Sequence, residues 1–128
     1  MSVHFKSIAR KDPRDATAIP KHYALVVSRG VTDIDQLSQL VSDGSTVTRA
    51  DVYAVIVRLV TTIQNELSQG CTVRLGKLGS FSLGVNSEGV DTPEEVTPSL
   101  IKRTKIRYRP SIELSNMLKT LRFKKKSE

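Results

Sequence analysis

The feature that most restricts the fold of this chain is a long aliphatic stripe with marked ends. Thr48 opens it in a capping-box pattern, Thr48-Arg-Ala-Asp51, with Asp in place of the usual Glu or Gln. Gly70 closes it, since glycine supplies the left-handed residue that ends many helices. Between them, apolar residues recur at helical spacing: Val52, Val55, Ile56, Leu59, Val60, Ile63 and Leu67. The pattern predicts a helix over residues 49–69 that packs on a core or on a partner.

The segment before this helix predicts two strands and a shorter helix. Residues 3–9 alternate loosely between apolar and polar side chains, and residues 23–27 are rich in β-branched and aromatic types. Thr32 or Asp33 caps a predicted helix whose apolar face is formed by Ile34, Leu37, Leu40 and Val41.

The segment after Gly70 predicts further strands and therefore a mixed α+β fold. Residues 73–83 indicate strand, bend and strand, because Gly76 and Gly79 permit a tight turn between two alternating segments. Residues 84–100 form a long polar excursion with two prolines, and its Thr-Pro-Glu-Glu sequence predicts a short helical turn.

A basic strand follows over residues 102–109, closed by Pro110 and a terminal helix over residues 111–121. Side chains alternate between the two faces of a strand, so four cations point the same way: Arg103, Lys105, Arg107 and Arg109. Such a line can follow the phosphates of a nucleic acid. The alternative is an edge strand that carries Lys and Arg against aggregation, although charges of mixed sign would serve that purpose equally well.

The net charge of +7 arises at the two ends of the chain. Residues 1–30 carry +4 and residues 99–128 carry +8, whereas residues 31–70 carry −3 and residues 71–98 carry −2. The local positive field is therefore stronger than the total suggests, and it points to a polyanionic partner.

Few residues could carry catalysis or hold a metal. His4 and His22 have no nucleophile or acid pair at a meaningful spacing, and the single Cys71 excludes an internal disulfide framework and a multi-cysteine metal site. Gly76-Lys-Leu-Gly79 lacks the spacing and the ending of a phosphate-binding loop. We expect no enzymatic activity, no catalytic or metal site, no cofactor and no small-molecule substrate.

The apolar runs are too short to span a membrane, and the N-terminus lacks the apolar stretch of a secretory signal. We therefore expect a cytoplasmic protein without a membrane partner.

The order of these elements resembles the bacterial HU and integration-host-factor family over about residues 31–123. The residues that carry the resemblance are Gly70, Val73, Leu75, Leu78, Gly79, Phe81, Pro110 and Leu118. With its extra N-terminal strands, the chain is similar to an HU-like variant that is common in Bacteroidetes-type bacteria. We therefore expect an N-terminal strand extension over residues 1–30, packed on an HU-like domain over residues 31–123, and a basic tail over residues 124–128.

The resemblance implies an intertwined homodimer whose helices form a shared core beneath a β-saddle. In that family, β-arms grip the minor groove and a proline at each tip wedges between base pairs. Here the Arg-Asn-Pro tip motif is missing, and residues 87–97 carry four acids and no basic residue. Pro93 and Pro98 lie near the wedge position, where we expect them to begin turns.

The expected function is non-enzymatic binding of the double-stranded DNA backbone with little sequence preference, in a nucleoid-associated homodimer. The basic strand would line the saddle, and Arg74 and Lys77 would add to its field. The alternative is a dimeric HU-fold scaffold that has lost DNA binding and engages protein through the acidic excursion.

Overall fold

The computed structural model describes residues 1–126 and has the predicted α+β composition. The chain divides into two compact units. One contains residues 34–116, and the other joins residues 1–33 to the C-terminal segment from residue 117 onward.

The helical pair of the larger unit begins with α1 (Ile34–Asp43) and continues with α2 (Arg49–Ser68), which packs on it. The Thr48 hydroxyl accepts a hydrogen bond from the Asp51 N–H at 3.2 Å, as the capping pattern predicts. At the other end, Gly70 has a φ of 87°, and two crossed hydrogen bonds join the N–H groups of Gly70 and Cys71 to the last turn. Both ends of the helix are therefore fixed by local sequence.

The sheet of this unit has the order β3-β4-β5 and is antiparallel throughout. Its strands are β3 (Val73–Arg74), β4 (Gly79–Ser87) and β5 (Ile101–Pro110). The predicted bend is a 3-10 turn over Gly76–Leu78, followed by Gly79 at a φ of 129°.

The polar excursion between β4 and β5 contains two further 3-10 turns, Pro93–Glu95 and Pro98–Leu100. Each proline begins its turn, as expected for a residue that lacks an N–H group. After β5, helix α3 (Ile112–Met117) is shorter than the predicted helix, because the chain tightens into a 3-10 turn over Leu118–Thr120.

The smaller unit is a three-stranded sheet of order β2-β1-β6. The predicted N-terminal strands are β1 (Val3–Arg10) and β2 (Lys21–Val27), which pair antiparallel. The third strand, β6 (Phe123–Lys125), lies parallel to β1. The segment expected as a basic tail, residues 124–128, thus begins inside a strand, and residues 127–128 lie outside the described residues.

Most apolar side chains of the described chain remain accessible to solvent. Among residues 1–126, only Val52 and Leu67 are buried hydrophobic residues, and both lie on α2. Large side chains on α2 and the sheet stay open, including Val55 at 63%, Val60 at 53% and Ile106 at 65% exposure. A single chain therefore leaves much of its apolar surface uncovered.

Candidate nucleic-acid interface

One face of the β3-β4-β5 sheet carries a row of cations. The register pairs Arg109 with Ser80, Arg107 with Ser82, Lys105 with Gly84 and Arg103 with Asn86. Residues directly opposite in an antiparallel pair share a face, so all four cations project from the same side, as the alternation predicts. Each of them is exposed.

The residues that face these cations on β4 are small and uncharged. A Cβ built on Gly84 would lie 2.6 Å from Nε of Arg107, so the guanidinium lies across the space that glycine leaves open. The ammonium of Lys105 donates to Oδ1 of Asn86 at 3.4 Å. The cations therefore project beyond the short, uncharged residues that face them on β4, and no acid lies beside them on that strand.

Arg74 and Lys77 extend this positive surface at one end of the sheet. Arg74 pairs with Ser80, which in turn pairs with Arg109, so the two arginines lie in one row across three strands. Lys77 lies in the 3-10 turn and lines a cleft of about 690 Å³ together with Arg74 and Arg109. Five of the six residues predicted for the site thus lie in rows on one sheet face, and the sixth, Lys77, lies in the adjoining turn. We name the exposed cations on the sheet itself the basic face: Arg74, Arg103, Lys105, Arg107 and Arg109.

The opposite face of the sheet is mostly apolar, and contacts on it and just beyond β5 connect β5 to β4 and to the turn before β4. The rings of Phe81 and Tyr108 lie with their centroids 5.2 Å apart, and the Tyr108 hydroxyl donates to the Leu78 carbonyl at 2.6 Å. The Ser111 hydroxyl donates to the Lys77 carbonyl just beyond the strand. These contacts join β5 to the turn that carries Lys77.

A β-bulge separates the basic face from the acidic excursion. Asn86 pairs with Arg103 and Ser87 pairs with Ile101, which leaves Lys102 as the extra residue. Lys102 forms an ion pair with Glu88 at 3.6 Å, and both side chains are largely exposed. The acids of the excursion therefore begin where the cationic row ends.

Few other groups in the described chain have the chemistry of a site. No group of three or more His, Cys, Asp or Glu residues within residues 1–126 could hold a metal ion, and Cys71 is exposed. The pKa of Asp15 lies below its ordinary value, chiefly because the Thr17 hydroxyl donates to its carboxylate and also because the Thr17 N–H does. No helix among the described residues is long and apolar enough to cross a membrane.

Sequence reasoning missed the β4 half of this surface. Ser80, Ser82, Gly84 and Asn86 alternate with larger apolar residues, and that alternation was the available signal. Their role in leaving space for Arg107 and in receiving Lys105 depends on strand register, which the sequence does not state.

A helical pair beside an antiparallel sheet, with one cationic sheet face, agrees with the architecture that the resemblance implies. The family model for "HU domain fused to wHTH, Ig, or Glycine-rich motif" matches residues 1–125. The chain therefore belongs to this HU-HIG family.

A solved structure shares this fold. A crystal structure of a protein designated "Putative bacterial DNA binding protein", from Bacteroides vulgatus, superposes with a TM-score of 0.61 at 13% sequence identity. The match covers 98% of this chain and 49% of that chain, so this chain spans about half the length of its neighbour. The comparison with curated proteins found no match.

Proposed function

We propose that this protein binds duplex DNA through the basic face and contacts mainly the phosphate backbone. The observation that carries the proposal is that five exposed cations lie on one sheet surface opposite small uncharged residues. Family membership and the designation of the structural neighbour support the same ligand.

Weak sequence preference follows from the chemistry of this face. Contacts of lysine and arginine with phosphates carry no sequence information, whereas the same side chains read guanine only when they are placed in the major groove. Asn86 is the one amide side chain that the register places on this face, and it already accepts from Lys105. We infer an architectural role in nucleoid DNA, in which the protein holds duplexes without selecting a site.

We further propose that the DNA-binding form is a homodimer. An apolar groove of about 500 Å³ lies between α2 and the sheet, lined among others by Val60, Leu83 and Ile106. These three side chains are 48–65% exposed in a single chain. The exposed flank of α2 presents the same kind of surface, namely Tyr53, Val57 and Val60, so a second copy supplies an aliphatic helix for the groove.

The test of DNA binding is a double charge reversal, Lys105→Glu with Arg107→Glu. Because both positions are exposed strand residues, the variant should remain folded and lose most of its duplex affinity in a fluorescence anisotropy titration. The matched control is Arg29→Glu with Arg58→Glu, which changes the net charge equally at exposed positions that belong neither to the basic face nor to the proposed dimer flank. Unaltered binding in the first variant, or equal loss in both, would refute the proposal and favour a protein-binding scaffold.

The test of the dimer is Val60→Glu, which places a carboxylate in the apolar groove. Sedimentation should show a dimer for the unmodified chain and a shift toward monomer for the variant, because an unpaired buried charge is costly. A monomer at all concentrations of the unmodified chain would contradict the dimer and leave the DNA proposal to its own test.

A further inference from the structure

The smaller unit carries the entire excess of positive charge. Within the described residues, the unit formed by residues 1–33 and 117–126 contains eleven Lys and Arg and three Asp, for a net +8. The larger unit, residues 34–116, contains nine of each sign and is neutral overall. The basic face is therefore a local feature of a neutral unit, whereas the smaller unit is cationic as a whole.

The strand register divides these cations unequally between the two faces of the small sheet. Paired residues share a face, so His4, Lys124 and Val27 lie side by side. The same face continues through the pairs Lys6–Leu25, Ile8–Tyr23 and Arg10–Lys21. It therefore holds four cations, Lys6, Arg10, Lys21 and Lys124, which we call the N-terminal basic patch.

The opposite face of this sheet contains a single Lys or Arg within its strands. Its members are Val3, Phe5, Ser7, Ala9, His22, Ala24, Val26, Phe123 and Lys125. All four cations of the N-terminal basic patch are exposed.

None of the three acids of the unit, Asp12, Asp15 and Asp33, lies on a strand of the small sheet. Asp12 and Asp15 lie in the connection between β1 and β2. There, Asp12 accepts from the Arg14 N–H at 2.9 Å, and Asp15 accepts from Thr17. These carboxylates therefore accept hydrogen bonds from within their own turn.

An aromatic ring lies among the cations. Tyr23 is 49% exposed and faces Ile8, with Lys21 two residues away on its own strand. Lys6 and Arg10 are its diagonal neighbours, about 7–8 Å away in antiparallel geometry. Exposed cations around an accessible ring match the chemistry of nucleic acid, whose phosphates bind cations and whose unpaired bases stack on aromatic rings.

We propose that the N-terminal basic patch is a second nucleic-acid surface, which binds phosphodiester backbone independently of the basic face. Protection of the sheet edges against aggregation accounts poorly for this patch, because charges of either sign would protect an edge. On this face the three strands carry four Lys and Arg residues and no Asp or Glu. The proposal rests on the proposed function for its ligand class, and its test separates the two.

The test uses neighbouring lysines of β6 that project to opposite faces. Lys124→Gln removes a patch cation, and Lys125→Gln removes the same charge from the other face. Each phosphate contact contributes about 0.9 to the slope of log affinity against log salt. We expect Lys124→Gln to make the slope shallower by about 0.9, and Lys6→Gln with Lys21→Gln and Lys124→Gln by about 2.7, while Lys125→Gln has no effect.

The probes are a labelled duplex and one of its single strands, titrated with each variant of the 128-residue chain. A shallower salt slope of the patch variants with the duplex identifies paired DNA as the ligand of the patch. A shallower slope with the single strand alone identifies unpaired nucleic acid as the ligand. Equal effects of Lys124→Gln and Lys125→Gln, or no effect of the triple variant on either probe, would overturn the proposal.

Combining the triple patch substitution with Lys105→Glu and Arg107→Glu in one variant distinguishes the two surfaces. Residual binding in that double variant that disappears with the triple patch substitution supports the patch. If the basic-face reversal leaves affinity unchanged while the patch variant loses it, the proposed function fails and the second surface stands. If only the basic-face reversal has an effect, the patch proposal fails.

Discussion

The number of cations on the basic face predicts how steeply DNA affinity depends on salt. Four cations occupy alternate positions of β5: Arg103, Lys105, Arg107 and Arg109. At the spacing of residues in a strand they span about 20 Å. Arg74 adds a fifth cation in the neighbouring row. Five phosphate contacts at about 0.9 each give a log-log slope of about −4.5 for each bound chain, or steeper if other surfaces also contact DNA.

The perturbation that tests this count is Arg107→Gln, which removes one charge. With five contacts, a salt increase from about 50 mM to about 200 mM lowers affinity about 500-fold for each chain. With four contacts the loss is about 150-fold, because the slope becomes shallower by about 0.9. Anisotropy titrations of a labelled duplex at several salt concentrations measure both slopes.

The matched control is Arg58→Gln, which removes the same charge from α2 and should leave the slope unchanged. An unchanged slope for Arg107→Gln would refute the reasoning, as would an equal change for Arg58→Gln. A slope shallower than about −2 for the unmodified chain would show that most cations of the face do not contact phosphate.

Three further substitutions test the supports of this surface. Gly84→Ala should displace the flexible end of Arg107 and weaken duplex binding several-fold, with little change in the urea midpoint; full affinity would show that the position of the guanidinium does not matter. Gly79→Ala should destabilise the fold by more than about 2 kcal/mol in urea unfolding, because Gly79 has a positive φ and its Cβ would meet the Arg109 carbonyl oxygen. Thr48→Ala should cost about 1 kcal/mol through loss of the helix cap, and an unchanged midpoint would contradict the role of that hydrogen bond.

Elements defined by local chemistry were predictable from the sequence. Helix α2 was expected over residues 49–69 and extends over Arg49–Ser68, because the Thr48 cap and Gly70 act within one turn of its ends. The common orientation of the β5 cations was equally predictable, since the side-chain period of a strand is two.

Features that depend on long-range pairing were not predictable in the same way. Nothing local indicates that Phe123–Lys125 returns to pair with β1, because a parallel partner distant in sequence leaves no mark beside it. The same pairing groups the C-terminal lysines with the N-terminal cations, and it explains why the charge excess belongs to the smaller unit. The open space over Gly84 likewise appears only when the register is known.

The most direct test of the central claim is photo-crosslinking to duplex DNA from a single cysteine. In a Cys71→Ser background, Ser82→Cys places an aryl-azide reagent on the basic face beside Arg107, and Thr61→Cys places it on exposed α2 as the control. Crosslinks from position 82 that disappear as salt rises, with few from position 61, are the predicted result. Equal crosslinking from both positions, or crosslinks from position 61 alone, would contradict the binding of DNA by the basic face.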